Sequence, residues 1–280
     1  EIMKRVQWIW VGLPLWLLAA CSPTSKLVFE DHFDGEGLPD STRWNYEEGY
    51  VRNGELQYYT VARPENCYQK DGCLHIVCRN DSARIEQGLF GKAWATPVDT
   101  TRCDSVAPVT SASITTRGLG EWKYGRVEVR AKLPDCRGSW PAIWMRPARD
   151  TYGKWPRSGE IDIMENVGYD LPKVHYAIHT EKYNHTKNNQ KRFTVDCPTV
   201  ATDFHVYGFE WRADKLTWYL DGVETYSVVK DEEGWEAWPF DQPFYLILNF
   251  AFGGGWGGSQ GVNLEGLPQE YVIDYVKVYQ

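Results

Sequence analysis

The longest apolar stretch near the start of this 280-residue chain, Val6 to Ala20, covers about fifteen residues, short of the roughly twenty that a membrane helix needs. An excess of positive charge is missing as well. The formal net charge is −8, and no Lys/Arg cluster accompanies the motifs, which excludes a phosphate-backbone partner such as nucleic acid. Neither a CxxC pair nor a His-rich spacing points to zinc. Internal repeats, low-complexity tracts and long helical periodicity are all lacking, and no Pro/Gly/Ser linker divides the chain. About 260 residues after the apolar start are enough for one large all-β domain. Aromatic residues, by contrast, are abundant, with 14 Trp and 17 Tyr. Most belong in a core, but so many also suggest a surface that stacks on something flat. Sugars and nucleobases are flat, and the charge disfavours bases.

A basic start at Lys4-Arg5, the short apolar run and small residues before Cys21 read as a secretory signal peptide. Leu18-Ala19-Ala20-Cys21 resembles a bacterial lipobox, in which Cys21 becomes the lipidated first residue. The expected organisation is therefore a signal segment over 1–21, a tether over 22–26 and one folded domain over 27–280. It would be exported and held to a bacterial outer membrane by lipid alone, as a monomer. Six cysteines remain, Cys67, Cys73, Cys78, Cys103, Cys136 and Cys197; in an exported chain they permit disulfides in fifteen connectivities. Cys78 shares a strand face with Leu74 and Ile76 and reads equally well as a buried thiol.

Period-two stretches punctuated by turns dominate the rest. Gly125 to Leu133 places Val127, Val129, Ala131 and Leu133 on one face and Arg126, Glu128, Arg130 and Lys132 on the other. Phe204 to Val228 reads as three strands joined at Ala213-Asp214-Lys215 and at the tight turn Asp221-Gly222. Pro243–Phe250 and Tyr271–Tyr279 are two more. Many strands without helical crossovers predict antiparallel sheets in a sandwich or jelly roll. The glycine run Gly253 to Gly258, around Trp256, is predicted to be a loop.

One strand carries chemistry. In "SGEIDIMENVG", Glu160 and Asp162 alternate with Ile161 and Ile163, so the acids share a face. Strict alternation would then send Glu165 into the core, where an unpaired carboxylate is prohibitive. A β-bulge at Ile163-Met164 returns Glu165 to the polar face, and bulges often re-aim side chains beside active sites. Two glutamates on one face suit glycoside hydrolysis, in which carboxyls about 5.5 Å apart flank the scissile bond in retaining enzymes. Asp162 between them would push their proton affinities apart.

The stretch resembles the bulged E-x-D-x-x-E signature of glycoside hydrolase family 16, as in laminarinase-type β-glucanases. The likeness extends in order through "LVFEDHFDG", "STRWNYEEG", "RNGELQYYT", "YGRVEVRAKLP", "GSWPAIWM", "VHYAIHT", "NFAFGG" and "IDYVKVY". The resemblance implies a β-jelly-roll of two bent antiparallel sheets with a concave substrate cleft. It makes Glu160 the nucleophile, Glu165 the acid/base and Asp162 an assisting acid. It puts a histidine beside the acid/base: His179 at the second His of the family's pattern, with His175 two steps away on the same side. It implies sugar contacts from Trp140, Trp144, Trp155 and Asn53, with Trp256 as a wall of the cleft. No cofactor is implied beyond a structural calcium on the convex side, for which Asp274 is in place. The opening motif departs from the usual D-E-F, reading Asp31-His32-Phe33. The Cys-bearing segment 81–109 matches none of these motifs and is expected to form a loop at one end of the cleft.

The expected substrate is a β-1,3- or mixed β-1,3/1,4-glucan, cleaved internally with retention. Galactan-cleaving relatives share the bulge; sulfated galactans would call for a basic cleft. A non-catalytic sugar-binding jelly roll is the reading from another class, and three intact acids argue against it.

Overall fold

The computed structural model describes residues 25–81, 83–84 and 106–280. Cys21, Cys103 and most of segment 81–109 lie outside the described residues. Alternation is what builds the strands. In Gly125–Lys132 the side chains of Val127, Val129 and Ala131 are buried while the charged residues between them stay half-exposed. The three-strand meander is His205–Trp211, Lys215–Leu220 and Val223–Val229. Its tight turn has Asp221 at φ 50° and Gly222 at φ 80°, the two left-handed residues that a two-residue hairpin requires.

Two large antiparallel sheets result. One has eight strands: Val223–Val229, Lys215–Leu220, His205–Trp211, Gly125–Lys132, Gln269–Tyr279, Cys73–Cys78 and Cys67–Lys70 in order, with Leu27–Asp31 also paired to Gln269–Tyr279. The other has seven: Lys191–Asp196, Lys173–His179, Glu160–Glu165, Ser139–Pro147, Phe244–Phe252, Ser113–Thr115 and Asn45–Tyr46. Their facing sides share one core, Val127, Val129 and Ile273 from the first sheet meeting Ile143, Met145, Ile161 and Leu248 from the second. This is the expected jelly-roll sandwich. Phe244–Phe252 is buried along its whole length because it lies mid-sheet: Leu246, Leu248 and Phe250 enter the core, while Tyr245 and Ile247 form a smaller cluster with Ala142 and Trp144 on the outer face.

The structure corrects two expectations. Cys67, Cys73, Cys78, Cys136 and Cys197 are all free thiols. Cys67 and Cys78 are enclosed in the apolar core, where burial pushes the Cys67 thiol up to about 12. The first strand, Leu27–Asp31, is preceded by Lys26, which exchanges backbone hydrogen bonds of 2.6 and 2.9 Å with Gln280. Asp274 does not offer a calcium ligand: the Arg130 guanidinium binds its carboxylate, and His32, where the family's acid would stand, pairs with Glu30 at 3.1 Å. A cation beside Asp274 would have to displace an arginine, so these residues do not fit calcium.

Candidate active site

The acidic strand Glu160–Glu165 runs mid-sheet, and its pairing shows the extra residue. Against Lys173–His179, Glu160 faces His179, Asp162 faces Ala177 and Glu165 faces His175, three steps on one strand against two on the other. On its other side Asp162 faces Trp144 and Met164 faces Ile143, leaving Ile163 as the insertion. Ile161, Ile163 and Met164 all reach the core, and Glu165 comes back to the outer face. At the bulge the Asp162 carbonyl accepts a 2.9 Å hydrogen bond from the indole of Trp218, a fully buried residue of the opposite sheet. An unpaired carbonyl there would cost about 1–3 kcal/mol. The bulge is thus held from behind, through the core.

The outer face holds a coupled cluster. His179 Nε2 lies 3.3 Å from Asp162 Oδ2 and 3.7 Å from Glu160 Oε1. Asp162 and His179 are 3% and 6% exposed. Asp162 Oδ2 has no aligned hydrogen-bond donor among the described residues, so the 3.3 Å contact is a charge pairing. Burial, then the charge of Glu160, raises Asp162 to about 6 despite His179. Burial alone would push His179 down, but the Asp162 contact and the charges of Glu160, Asp162 and Glu165 outweigh it and raise it to about 9. Between those values Asp162 is ionised and His179 is an imidazolium. Glu165 is pushed well above the usual carboxylate range by burial and then by Asp162, against the opposing hydrogen bond from Trp140 Nε1 to Oε1 at 2.9 Å. Glu160, Asp162 and His179 bring ligand atoms within 4.8 Å of one another, a spacing a metal could use. Without an ion, the opposite charges of His179 and Asp162 make the cluster an ion-pair array, and a metal would have to displace the imidazole proton.

Around it stand the other expected residues. Trp140 is half-buried and meets Trp256 edge to face at 5.4 Å, and Trp256 in turn meets His175 at 5.0 Å. His175 lies opposite Glu165, is held by Thr194 Oγ1 at 3.0 Å, and burial lowers it to about 4, so it is neutral. Trp155, also half-buried, stands 6.0 Å from the His179 ring. Asn53 takes a left-handed turn (φ 56°), its amide donating to Glu55 at 3.1 Å. Its carbonyl accepts from Gly255, which ties this turn to the glycine loop that carries Trp256.

Trp144 is a correction. It faces outward as expected, but its ring is 7% exposed, covered by the Arg52 guanidinium at 4.8 Å and tied by Nε1 to Asn249 Oδ1 at 2.7 Å. It is a floor, not an open stacking platform. Behind it Asn249 donates to Tyr59 at 2.9 Å, and Arg52 pairs with Glu47. Two further neighbours were missed from the sequence: Arg146, 3.8 Å from Glu160, and His185, whose ring lies 5.0 Å from that of His179. Arg146 follows Trp144 by one period of two, a signal that could have found it; His185 sits in a turn with no such signal.

A family model described as glycosyl hydrolases family 16 matches residues 57–277. A β-glucanase of Rhodothermus marinus is 44% identical over 92% of this chain and 86% of its own length. The solved structure of the laminarinase from Rhodothermus marinus superposes with a TM-score of 0.81 at 44% identity, covering 91% of this chain and 97% of that one. A second solved structure, of a non-specific endo-β-1,3(4)-glucanase of the same family, gives a TM-score of 0.80 at 38% identity over 92% of each chain. The bulged acidic strand, the two-sheet fold and these similarities agree, and the chain belongs to glycosyl hydrolases family 16.

Proposed function

We propose that this protein is a retaining endo-glycosidase of β-1,3- or mixed β-1,3/1,4-glucans, with Glu160 as nucleophile and Glu165 as acid/base. The observation that carries the assignment is the asymmetry within one cluster. Burial and the charge of Asp162 favour the protonated form of Glu165, whereas Glu160 faces two cations, His179 at 3.7 Å and Arg146 at 3.8 Å. A general acid must start protonated and a nucleophile ionised. In the first step Glu160 bonds to the anomeric carbon while Glu165 gives its proton to the departing glycosidic oxygen. In the second, Glu165, now a carboxylate, takes a proton from water as its oxygen attacks the same carbon and releases Glu160. Asp162 keeps Glu165 protonated before the first step. His179 balances the charge of Glu160 and Asp162.

The similar β-glucanases support glucan as the substrate. Of the arginines on the outer face, Arg52 is engaged by Glu47 and Arg146 by Glu160, while Arg192 is exposed with one strand between it and Asp162. The basic start, the apolar run and Cys21 support an exported, lipid-anchored protein. The test is product analysis on laminarin, barley glucan, agarose and carrageenan. Rapid release of intermediate-length oligosaccharides from the glucans, with the β anomer first in the proton spectrum, is expected. Cleavage of agarose or carrageenan with the glucans untouched, or the α anomer first, overturns the proposal.

A further inference from the structure

We infer that His185 is a positioning residue that acts through His179, closing the buried side of that ring so that its Nε2 stays between Glu160 and Asp162. The inference rests on the catalytic reading of that cluster. His179 reaches both carboxylates through one nitrogen, so a modest swing about its ring axis would lose one contact or both. Its other nitrogen, Nδ1, is buried and has no hydrogen-bond partner among the described residues. In an imidazolium that nitrogen carries a proton, and a buried N–H without any partner is costly. What stands beside the ring is aromatic. His185 meets it at 5.0 Å with the planes 80° apart, and Trp155 leans on both rings, 6.0 Å from His179 and 5.0 Å from His185. An indole within about 6 Å of a cation is an electron-rich surface for it, which Trp155 supplies, and the His185 ring packs against both.

Two independent features support the role. The first is charge. Burial, and then the positive charge of His179, hold His185 below the ordinary histidine range, so it is neutral where His179 is charged. The groups facing His179 are Glu160, Asp162 and Glu165 from the acidic strand, with Arg146 beyond Glu160, and His185 from the turn. Among them His185 is the one neutral titratable ring. The second is how firmly its turn is pinned. His185 is itself exposed, yet Asn184 before it is 1% exposed. The Asn184 amide donates to the carbonyls of Thr180 at 3.0 Å and Glu181 at 3.3 Å, its oxygen accepts from Thr186 at 2.6 Å, and its backbone N–H donates to Asn189 at 3.0 Å. Thr180 directly follows His179, and its N–H donates to the Tyr183 carbonyl at 2.7 Å. The chain therefore folds straight back from His179 and is nailed down where His185 returns over the ring.

The experiment compares wild type, His185→Ala and His185→Phe by two readouts. The first is the His179 Nδ1–H resonance, observed by NMR on the free enzyme without any turnover. The second is kcat and KM on a soluble glucan. Alanine is expected to open Nδ1 to water, so that its proton resonance is lost to exchange, and to lower kcat roughly tenfold, about the worth of one hydrogen bond, with KM little changed. Phenylalanine, which keeps a neutral aromatic surface but cannot titrate, is expected to restore the resonance and most of kcat. Because residue 185 is exposed, both variants should fold, which a melting curve checks. An alanine variant with an unchanged resonance and unchanged kcat overturns the inference. So does a rise in KM at constant kcat, which would make His185 a sugar contact, or a phenylalanine variant as impaired as alanine in both readouts. If wild type itself cleaves no glucan, the proposed function has failed, while the resonance still reports on His185.

Discussion

Trp140 and Asp162 pull on the acid/base in opposite directions, so replacing each should move one limb of the pH profile in opposite senses. The Trp140 indole donates to Glu165 Oε1 at 2.9 Å and favours the carboxylate. Trp140→Phe keeps an aromatic ring and removes the donor. A hydrogen bond to a charged group is worth about 1.5–3 kcal/mol, and one pH unit corresponds to about 1.4 kcal/mol. A neutral acid still accepts such a bond weakly, so the net effect belongs at the lower end, a rise of about one unit in the Glu165 titration. The alkaline limb of kcat/KM reports loss of the proton from the free enzyme. In Trp140→Phe it should therefore move about one pH unit upward. The plateau should fall, because an acid that holds its proton more tightly gives it up less readily. The assay is kcat/KM on one soluble glucan across the pH range. Trp140 also packs edge-on against Trp256 at 5.4 Å, and losing that contact can alter KM; it changes the height of the profile but not the position of the limb. A limb that stays in place or moves downward would refute the reasoning.

Asp162→Asn removes the charge that, after burial, most raises Glu165, so the same limb should move to lower pH and the maximum rate should drop, the limb being a property of the coupled cluster. Its own stability effect depends on pH: Asp162 titrates near 6 in the folded protein, above the ordinary value, so the ionised carboxylate is a net destabilising charge. The melting temperature of wild type relative to Asp162→Asn should fall as pH rises from the unfolded carboxylate range through about 6, and a flat difference would contradict this. Glu160→Gln and Glu165→Gln should each remain folded and lose several orders of magnitude in turnover; for Glu165→Gln the melting temperature should hold or rise, since a buried acid in a field of like charge is replaced by a neutral amide. Near-normal turnover in both would remove the catalytic assignment. The wild-type protein should partition into detergent and Cys21→Ser should not, stable anchoring requiring more than one acyl chain; intact wild-type protein free in the medium would count against the anchor.

Much of the fold was legible because strands with one buried face advertise their register. Val127, Val129 and Ala131 could face only the core, and a carboxylate at residue 165 could not, so the bulge followed from the cost of burying it. What alternation reports is a side of a sheet, not access to water. Trp144 lies on the expected side, but Arg52 and Asn249, far away in sequence, cover it. His185 belongs to a turn fixed by a buried asparagine, where side-chain hydrogen bonds replace periodicity. The cysteines teach the same lesson from composition: an exported chain permits disulfides, while only tertiary placement decides which thiols meet. Asp274 was read from one acid in a motif, and the arginine that occupies it comes from a strand whose polar face had been recognised without its partner.

The bulge also makes one point in the middle of this sheet tolerant of a change in chain length. Elsewhere in a strand, gaining or losing a residue turns every later side chain to the opposite face. Here Ile163 and Met164 together occupy one step of the ladder, so loss of Ile163 would leave an even count from Glu160 onward. The acids would all still point outward, and Glu165 could keep His175 as its neighbour. The penalty would fall on packing instead, as a vacancy in the core of the size of one aliphatic side chain, about 2–5 kcal/mol unless neighbouring residues grew to fill it. The Trp218 indole would also be left facing a ladder with no spare carbonyl to receive it. A lineage could therefore cross between a strand with and without the extra residue in a single deletion without scrambling the face that does the chemistry, provided the interior behind it adjusts at the same time.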